Sequence, residues 1–232
     1  MFRTIKLAAL AACIATVLTA AANAQINTTG TVTMTGTVSK FVELNSGGAV
    51  TLAGNSGGTV TTNGTADTLL GVVVNLGELG PANTNSFVTL SVPLKLRSNS
   101  TYNLSMSATV VSSGSTTNKL TAADVGFGLG STTRSGVGVA TGTDTNATSG
   151  DPTLGANGAA DVTTGRWTYS AGKTNLGAFS SSTLALSGPA IMNAVPRSNA
   201  NGMTVPAIFS VKPQFYEVGT STITVNFTAT AP

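Results

Sequence analysis

Val88-Thr89-Leu90-Ser91-Val92-Pro93-Leu94-Lys95-Leu96-Arg97, followed after Ser98-Asn99-Ser100 by Thr101-Tyr102-Asn103-Leu104-Ser105-Met106-Ser107-Ala108-Thr109-Val110-Val111, alternates apolar and polar residues with a period of two. Successive side chains of an extended chain point to opposite faces, so this pattern predicts two half-buried strands. Val88, Leu90, Val92, Leu94 and Leu96 share the inner face of the first. Tyr102, Leu104, Met106, Ala108 and Val110 share that of the second. The Ser-Asn-Ser turn between them predicts a hairpin. Pro93 has no N–H to give a neighbouring strand, which predicts an edge strand or a bulge. Lys95 and Arg97 fall on the outer, polar face.

The same alternation recurs outward from this pair. Ile223, Val225, Phe227 and Ala229 alternate with Thr222, Thr224, Asn226 and Thr228 near the C-terminus. The run 69–76 is more continuously apolar and predicts a strand buried on both faces. Shorter strands are expected over 49–53, 59–62, 125–129, 166–170, 183–186, 205–211 and 215–218, with Pro206 and Pro213 breaking the region of the last two. Apolar residues at helical spacing are nearly absent, and Thr, Val, Ser and Gly disfavour helices. A single turn at 121–124 is the best helical candidate. The stretch 131–164 is rich in Gly, Thr, Ala and Asn and reads as a partly ordered surface excursion. The expected architecture is one all-β domain over 41–232, an Ig-like antiparallel β-sandwich carrying that excursion.

The N-terminus has the three parts of a secretory signal. Arg3 and Lys6 form a basic start, 7–20 is apolar, and Ala22-Asn23-Ala24 supplies the small-x-small site for cleavage before Gln25. Residues 1–24 are therefore expected to be a signal peptide, and the mature chain an exported protein of the cell surface or exterior. Leu10-Ala11-Ala12-Cys13 also matches a lipoprotein cleavage box, but its apolar run is short and it leaves apolar 14–22 on the mature end. No segment is apolar over the roughly 20 residues a bilayer-spanning helix needs.

Loss of 1–24 removes Arg3 and Lys6, so nine Lys and Arg face eight Asp and Glu, and the net charge falls from +3 to +1. No basic patch suits a phosphate backbone, and nucleic acid is not an expected partner. Charged residues make up 8% of the chain, against a usual ~25%. A Thr-, Ser-, Asn- and Gly-covered surface has little like-charge repulsion and packs readily against its own kind.

The chain has no histidine and its one cysteine is Cys13. A Ser-His-Asp or Cys-His arrangement cannot form, and the three Glu and five Asp are scattered. The expectation is a protein that is not an enzyme and holds no cofactor or metal. Asp144-Thr145-Asn146 with Asp151 faintly resembles a calcium loop but fails the EF-hand spacing, and an Asx-rich turn reads better. Trp167 and Tyr169 fall on one face of a strand; exposed, they would stack on a sugar ring, and buried, they would anchor core. This leaves a second reading, a self-contained secreted sandwich that binds glycans or host surfaces.

Directly behind Gln25, residues 30–38 read Gly-Thr-Val-Thr-Met-Thr-Gly-Thr-Val. Val32, Met34 and Val38 share a face with Gly36, and Thr fills the other. Such a strand can pair in cis within its own sheet, or in trans by insertion into a neighbour's open sheet, where the backbone gives affinity and alternate side chains fill pockets. Segment 25–40 is thus a candidate donor strand, with Val32, Met34, Gly36 and Val38 as its interface.

Three segments together resemble the pilins of archaic chaperone–usher fimbriae and the related spore-coat-U-like proteins. They are this N-terminal strand, the strand-turn-Tyr-strand of 88–110, and Val205-Pro206-Ala207-Ile208-Phe209 followed by Gly219-Thr220-Ser221-Thr222-Ile223-Thr224-Val225-Asn226-Phe227. The resemblance spans about a third of the mature chain. It departs from the family in having no disulfide and a longer middle excursion. It implies an incomplete Ig-like sandwich completed by a neighbour's N-terminal strand. Copies of the chain, other surface subunits and a periplasmic chaperone are its implied partners.

Overall fold

The structure, a computed structural model, describes residues 34–54, 57–79, 87–113, 118–148, 174–193, 198, 200–211 and 214–232. The chain divides into two compact units, Met1–Val38 and Ser39–Pro232. Of the first, residues 34–38 are described; they form no strand, and Met34 and Val38 are almost wholly exposed.

The second unit is built from antiparallel strands with almost no helix. The strands are β1 (Val42–Ser46), β2 (Thr51–Ala53), β3 (Thr59–Thr62), β4 (Val73–Asn75), β5 (Val88–Ser98), β6 (Tyr102–Ser112), β7 (Val125–Leu129), β8 (Thr133–Ser135), β9 (Thr145–Asn146), β10 (Thr183–Gly188), β11 (Gly202–Val211) and β12 (Ser221–Thr230). One sheet runs β1-β5-β11-β7, with β2 also on β5 and β8 also on β11. A second runs β12-β6-β10-β9, and β3 pairs with β4 alone. Two short 3-10 turns, Ala122–Asp124 and Leu176–Phe179, complete the elements. The first is the turn expected at 121–124. Asp124 Oδ2 closes it by accepting from the backbone N–H and hydroxyl of Thr121.

Both large sheets bury their apolar faces in one core. Leu94, Leu96, Phe127, Met203 and Val205 come from the first; Tyr102, Leu104, Met106 and Leu186 come from the second. Phe127 is the hub, with ring centroids 5.2 Å from Phe179, 5.2 Å from Phe209 and 6.3 Å from Phe227. Edge-to-face and tilted aromatic pairs at these separations stabilise beyond the area they bury.

The inner-face residues of β5 and β6 are as the alternation predicts, but the two strands do not form a hairpin. β5 pairs with β1, β2 and β11, while β6 pairs with β10 and β12. The chain instead crosses from one sheet to the other at Ser98–Ser100. Ser98 holds this corner, its hydroxyl donating to the Phe41 and Ser100 carbonyls at 2.9 and 2.8 Å. Its own carbonyl accepts from the N–H groups of Ile191 and Met192, each at 2.9 Å. Alternation gives the same side-chain pattern for both connections, because inward residues meet the core either side by side or face to face.

Pro93 sits at neither an edge nor a bulge of its own strand. β5 is internal, and Pro93 lies directly opposite Pro206 of β11. Two facing prolines need no N–H from each other if their backbone polar groups point to the outer flanks. On each flank the neighbour is interrupted. β1 ends opposite Leu94 and β2 begins opposite Ser91; β7 ends opposite Ala207 and β8 begins opposite Thr204. A glycine at each break satisfies the proline carbonyl: Gly47 N–H donates to Pro93 at 2.7 Å and Gly130 N–H to Pro206 at 2.8 Å. A Cβ on either glycine would crowd the proline at 3.1 and 3.0 Å. For the same reason β11 runs unbroken through Pro206.

Three further expectations are corrected. In 69–76 only Val73–Asn75 is strand, and one face of the run is exposed rather than buried on both. Residues 215–218 are irregular rather than strand, with Phe215 and Val218 exposed and the Glu217 N–H donating to the Asn118 carbonyl. Lys95 and Arg97 are buried, because the 63–68 loop and Ser198–Asn201 cover the outer face of β5 at that end. Within the 131–164 excursion, β8 and β9 add short strands to the two sheets; 149–164 lies outside the described residues, as does the strand expected at 166–170.

Candidate functional site

Among the described residues the sheets do not close on one side. There β12 ends the second sheet and pairs only with β6, through all ten of its residues. β1 ends the first sheet on the same side, and the two edges share a cleft of about 650 Å³. Val42 and Leu44 of β1 and Ile223, Val225 and Phe227 of β12 form its sides, while Val88, Val92, Val125 and Val211 form its floor. Among the described residues the only polar side chains in its lining are Asn226 and Thr228, and no titratable group lines it. The cleft therefore offers apolar contact and backbone pairing, not acid–base chemistry.

The β12 edge is unusual in two respects. Its inward side chains Ile223, Val225, Phe227 and Ala229 are only half-buried, whereas Ala108, Met106 and Leu104, opposite the last three on β6, are buried. Its outer backbone edge, which no described strand pairs, also lacks the usual protections. Proteins blunt edge strands with charges, prolines, bulges or shortness. β12 has ten residues, no charge, no proline and an unshifted register. The opposite edge of the same sheet, β9, is two residues long. One end of the opening is bridged by Lys40, whose ammonium donates to the Pro232 carbonyl.

Two buried polar clusters flank the core. In the first, Arg97 is 1% exposed. It donates from Nε to the Asn201 carbonyl at 2.7 Å, from Nη2 to the Ser198 carbonyl at 3.2 Å, and to the Asp67 carboxylate. Glu43, its cross-strand partner on β1, lies 3.7 Å away, and Lys95 lies 3.8 Å from Asp67. The in-register Glu43 and Arg97 were a sequence signal, but only after the β1–β5 pairing is known.

In the second cluster, Asp144 accepts from Arg134 Nη2 at 2.5 Å, Arg134 Nε at 3.2 Å, the Tyr102 hydroxyl at 2.7 Å and the Thr132 hydroxyl at 3.1 Å. Burial and the Asp144 carboxylate both push the Tyr102 phenol far up, so it stays a donor. Burial also pushes the Asp144 carboxyl up, but the Arg134 guanidinium and the two hydroxyls outweigh it and hold the carboxyl below its usual value. Arg134 is held charged by the same hydrogen bonds. Asn146 makes an Asx turn, its Oδ1 accepting from the Thr148 N–H at 2.9 Å and hydroxyl at 2.8 Å. Asp144 and Asn146 are thus committed to protein donors, which is the Asx-turn reading of this loop; Asp151 lies outside the described residues. Among the described residues no group of three His, Cys, Asp or Glu converges.

The Asp144 cluster makes a pH prediction. A carboxyl whose pKa is lowered by folding stabilises fully above its unfolded value of ~3.9 and loses that contribution as pH falls through the folded value. Asp144→Asn should cost about 1–3 kcal/mol at pH 7. It should also lose less stability than the parent between pH 5 and 2.5 in urea titrations. An equal acid loss in both proteins would place the acid sensitivity elsewhere.

Of the residues expected to form a strand-donation interface, Met34, Gly36 and Val38 are exposed and Val32 lies outside the described residues. Trp167 and Tyr169 lie outside them too. Among the described residues no helix is long and apolar enough to cross a membrane. No protein-family model matches the chain, and comparison with curated proteins and with solved structures finds no match.

Proposed function

We propose that this chain is an exported, non-enzymatic structural or adhesive subunit of the cell surface that assembles by strand donation. On this reading its sheets are an incomplete Ig-like sandwich, and the cleft between β1 and β12 is the seat of the missing strand. The observation that carries it is the unprotected ten-residue β12 edge beside an apolar cleft. An added strand would pair its backbone with β12 and cover Ile223, Val225, Phe227 and Ala229. Each apolar side chain that passes from half-exposed to buried contributes about 1 kcal/mol. The donor is the 25–38 segment of a second copy, with Val32, Met34 and Val38 entering the cleft and Gly36 matching a shallow position. The exposure of Met34 and Val38, 88% and 87%, supports this. Such edges are also the surfaces a periplasmic chaperone would cover before assembly.

The test is the assembly state of the chain beginning at Gln25. It should form polymers in size-exclusion chromatography with light scattering, and removal of 25–38 should abolish them. A synthetic 25–38 peptide at 100 times its Kd should then stabilise the truncated protein by about 2.7 kcal/mol. A monomer equally stable with and without 25–38, and indifferent to the peptide, would overturn the reading.

A further inference from the structure

Residues 69–76 form one wall of the cleft, and their arrangement is that of a strand that has found no sheet. Leu70, Val72, Val74 and Leu76 are half-buried against the core, while Leu69, Gly71 and Val73 are exposed. This is strand periodicity, yet the strand itself is confined to Val73–Asn75, and its partner is β3. Among the described residues no backbone hydrogen bond joins 69–72 to β1 or to β12.

Both ends of the segment are pinned. On the N-terminal side Asp67 N–H donates to the Ser46 carbonyl and Ser46 N–H to the Thr68 carbonyl, each at 2.9 Å. Asp67 adopts a left-handed backbone, φ 63°, and its carboxylate is held by Arg97 and Lys95. On the other side β4 is held by β3. Between the pins lies Gly71, where an added Cβ would meet nothing within 4 Å. Packing therefore does not impose a glycine there, and its effect is to leave the backbone loose.

A segment tied at both ends, held in the middle by side-chain burial alone and lying in an apolar cleft, is easily lifted. We infer that residues 69–76 are a displaceable strap. In the free subunit Leu70 and Val72 occupy part of the cleft and shield it. A strand that docks along β12 brings both apolar side chains and backbone hydrogen bonds to that edge, whereas residues 69–72 offer it only the former, so the strap yields. Its consequence is regulatory: the cleft is closed to casual apolar contacts and open to a strand long enough to pair. This inference rests on the strand-docking reading of the cleft.

A chain beginning at Ser39 has no cysteine and no donor segment of its own to fill a second copy's cleft, so Val72→Cys introduces a unique thiol into the unassembled subunit. Its alkylation rate by iodoacetamide should rise about tenfold when excess 25–38 peptide binds, a shift of the strap from mostly seated to mostly lifted. In parallel, the Leu70→Ser, Val72→Ser double variant should bind fluorescent 25–38 peptide with a several-fold higher association rate in stopped flow. Slower alkylation on peptide binding, or an unchanged or lower association rate, would overturn the strap and leave strand docking intact. Absence of peptide binding by both parent and variant would overturn both.

Discussion

Arg97→Ala should be among the most damaging single substitutions in this protein, costing about 3–5 kcal/mol. The guanidinium is buried, and it serves two carbonyls and a carboxylate contributed by two separate segments. Truncation leaves the buried Asp67 charge with only Lys95 at 3.8 Å, and leaves the Asn201 carbonyl without that donor. A domain of this kind has a total stability of about 5–15 kcal/mol, so urea midpoints followed by circular dichroism should fall by a large fraction. Asp67→Asn added to Arg97→Met should recover part of the loss, because it removes the orphaned charge and refills the volume. A loss under about 1 kcal/mol for Arg97→Ala would mean that the side chain is solvated and the pair is a surface one.

Phe127→Ala should cost about 3–5 kcal/mol, as expected for a fully buried aromatic. Phe127 contacts three other rings and none of its surface is exposed. Phe227→Ala in the same aromatic group should cost about half as much, since Phe227 on β12 is only half-buried beside the cleft. Docking of the 25–38 peptide should widen the gap between parent and Phe227→Ala by covering this ring, and leave the Phe127→Ala deficit unchanged. Equal costs for the two rings in the free protein would mean that the cleft is filled.

These two residues also mark how far the chain could be read unaided. The inner face of β5 and β6 and the alternating final strand were legible residue by residue, because burial on one face leaves a period-two signature. The cleft was not, although every residue that lines it is visibly apolar. Ile223, Val225 and Phe227 have the pattern of an ordinary inner face, and nothing local tells whether a second sheet covers them. Arg97 falls on the face of β5 opposite Leu94 and Leu96, and its burial was not legible for the complementary reason. Its cover comes from 63–68 and from Ser198–Asn201, far away along the chain. Pro93 likewise signalled a broken ladder, but the break lies in β1 and β2, and in β7 and β8 opposite Pro206, rather than at its own position.

By itself the sequence determined that the chain is all-β and, for β5, β6 and β12, which residues face inward, because those follow from the alternation of neighbours along one extended backbone; β1, β8 and β9 carried no such signal, and 215–218 forms no strand. Only the tertiary structure decided which strands pair, that 98–100 is a crossing between sheets rather than a hairpin, and that among the described residues the outer edge of β12 is unpaired beside a cleft. Pairing and closure depend on contacts between residues distant in sequence, and the same alternating segment is equally content at the centre of a sheet or at its open side.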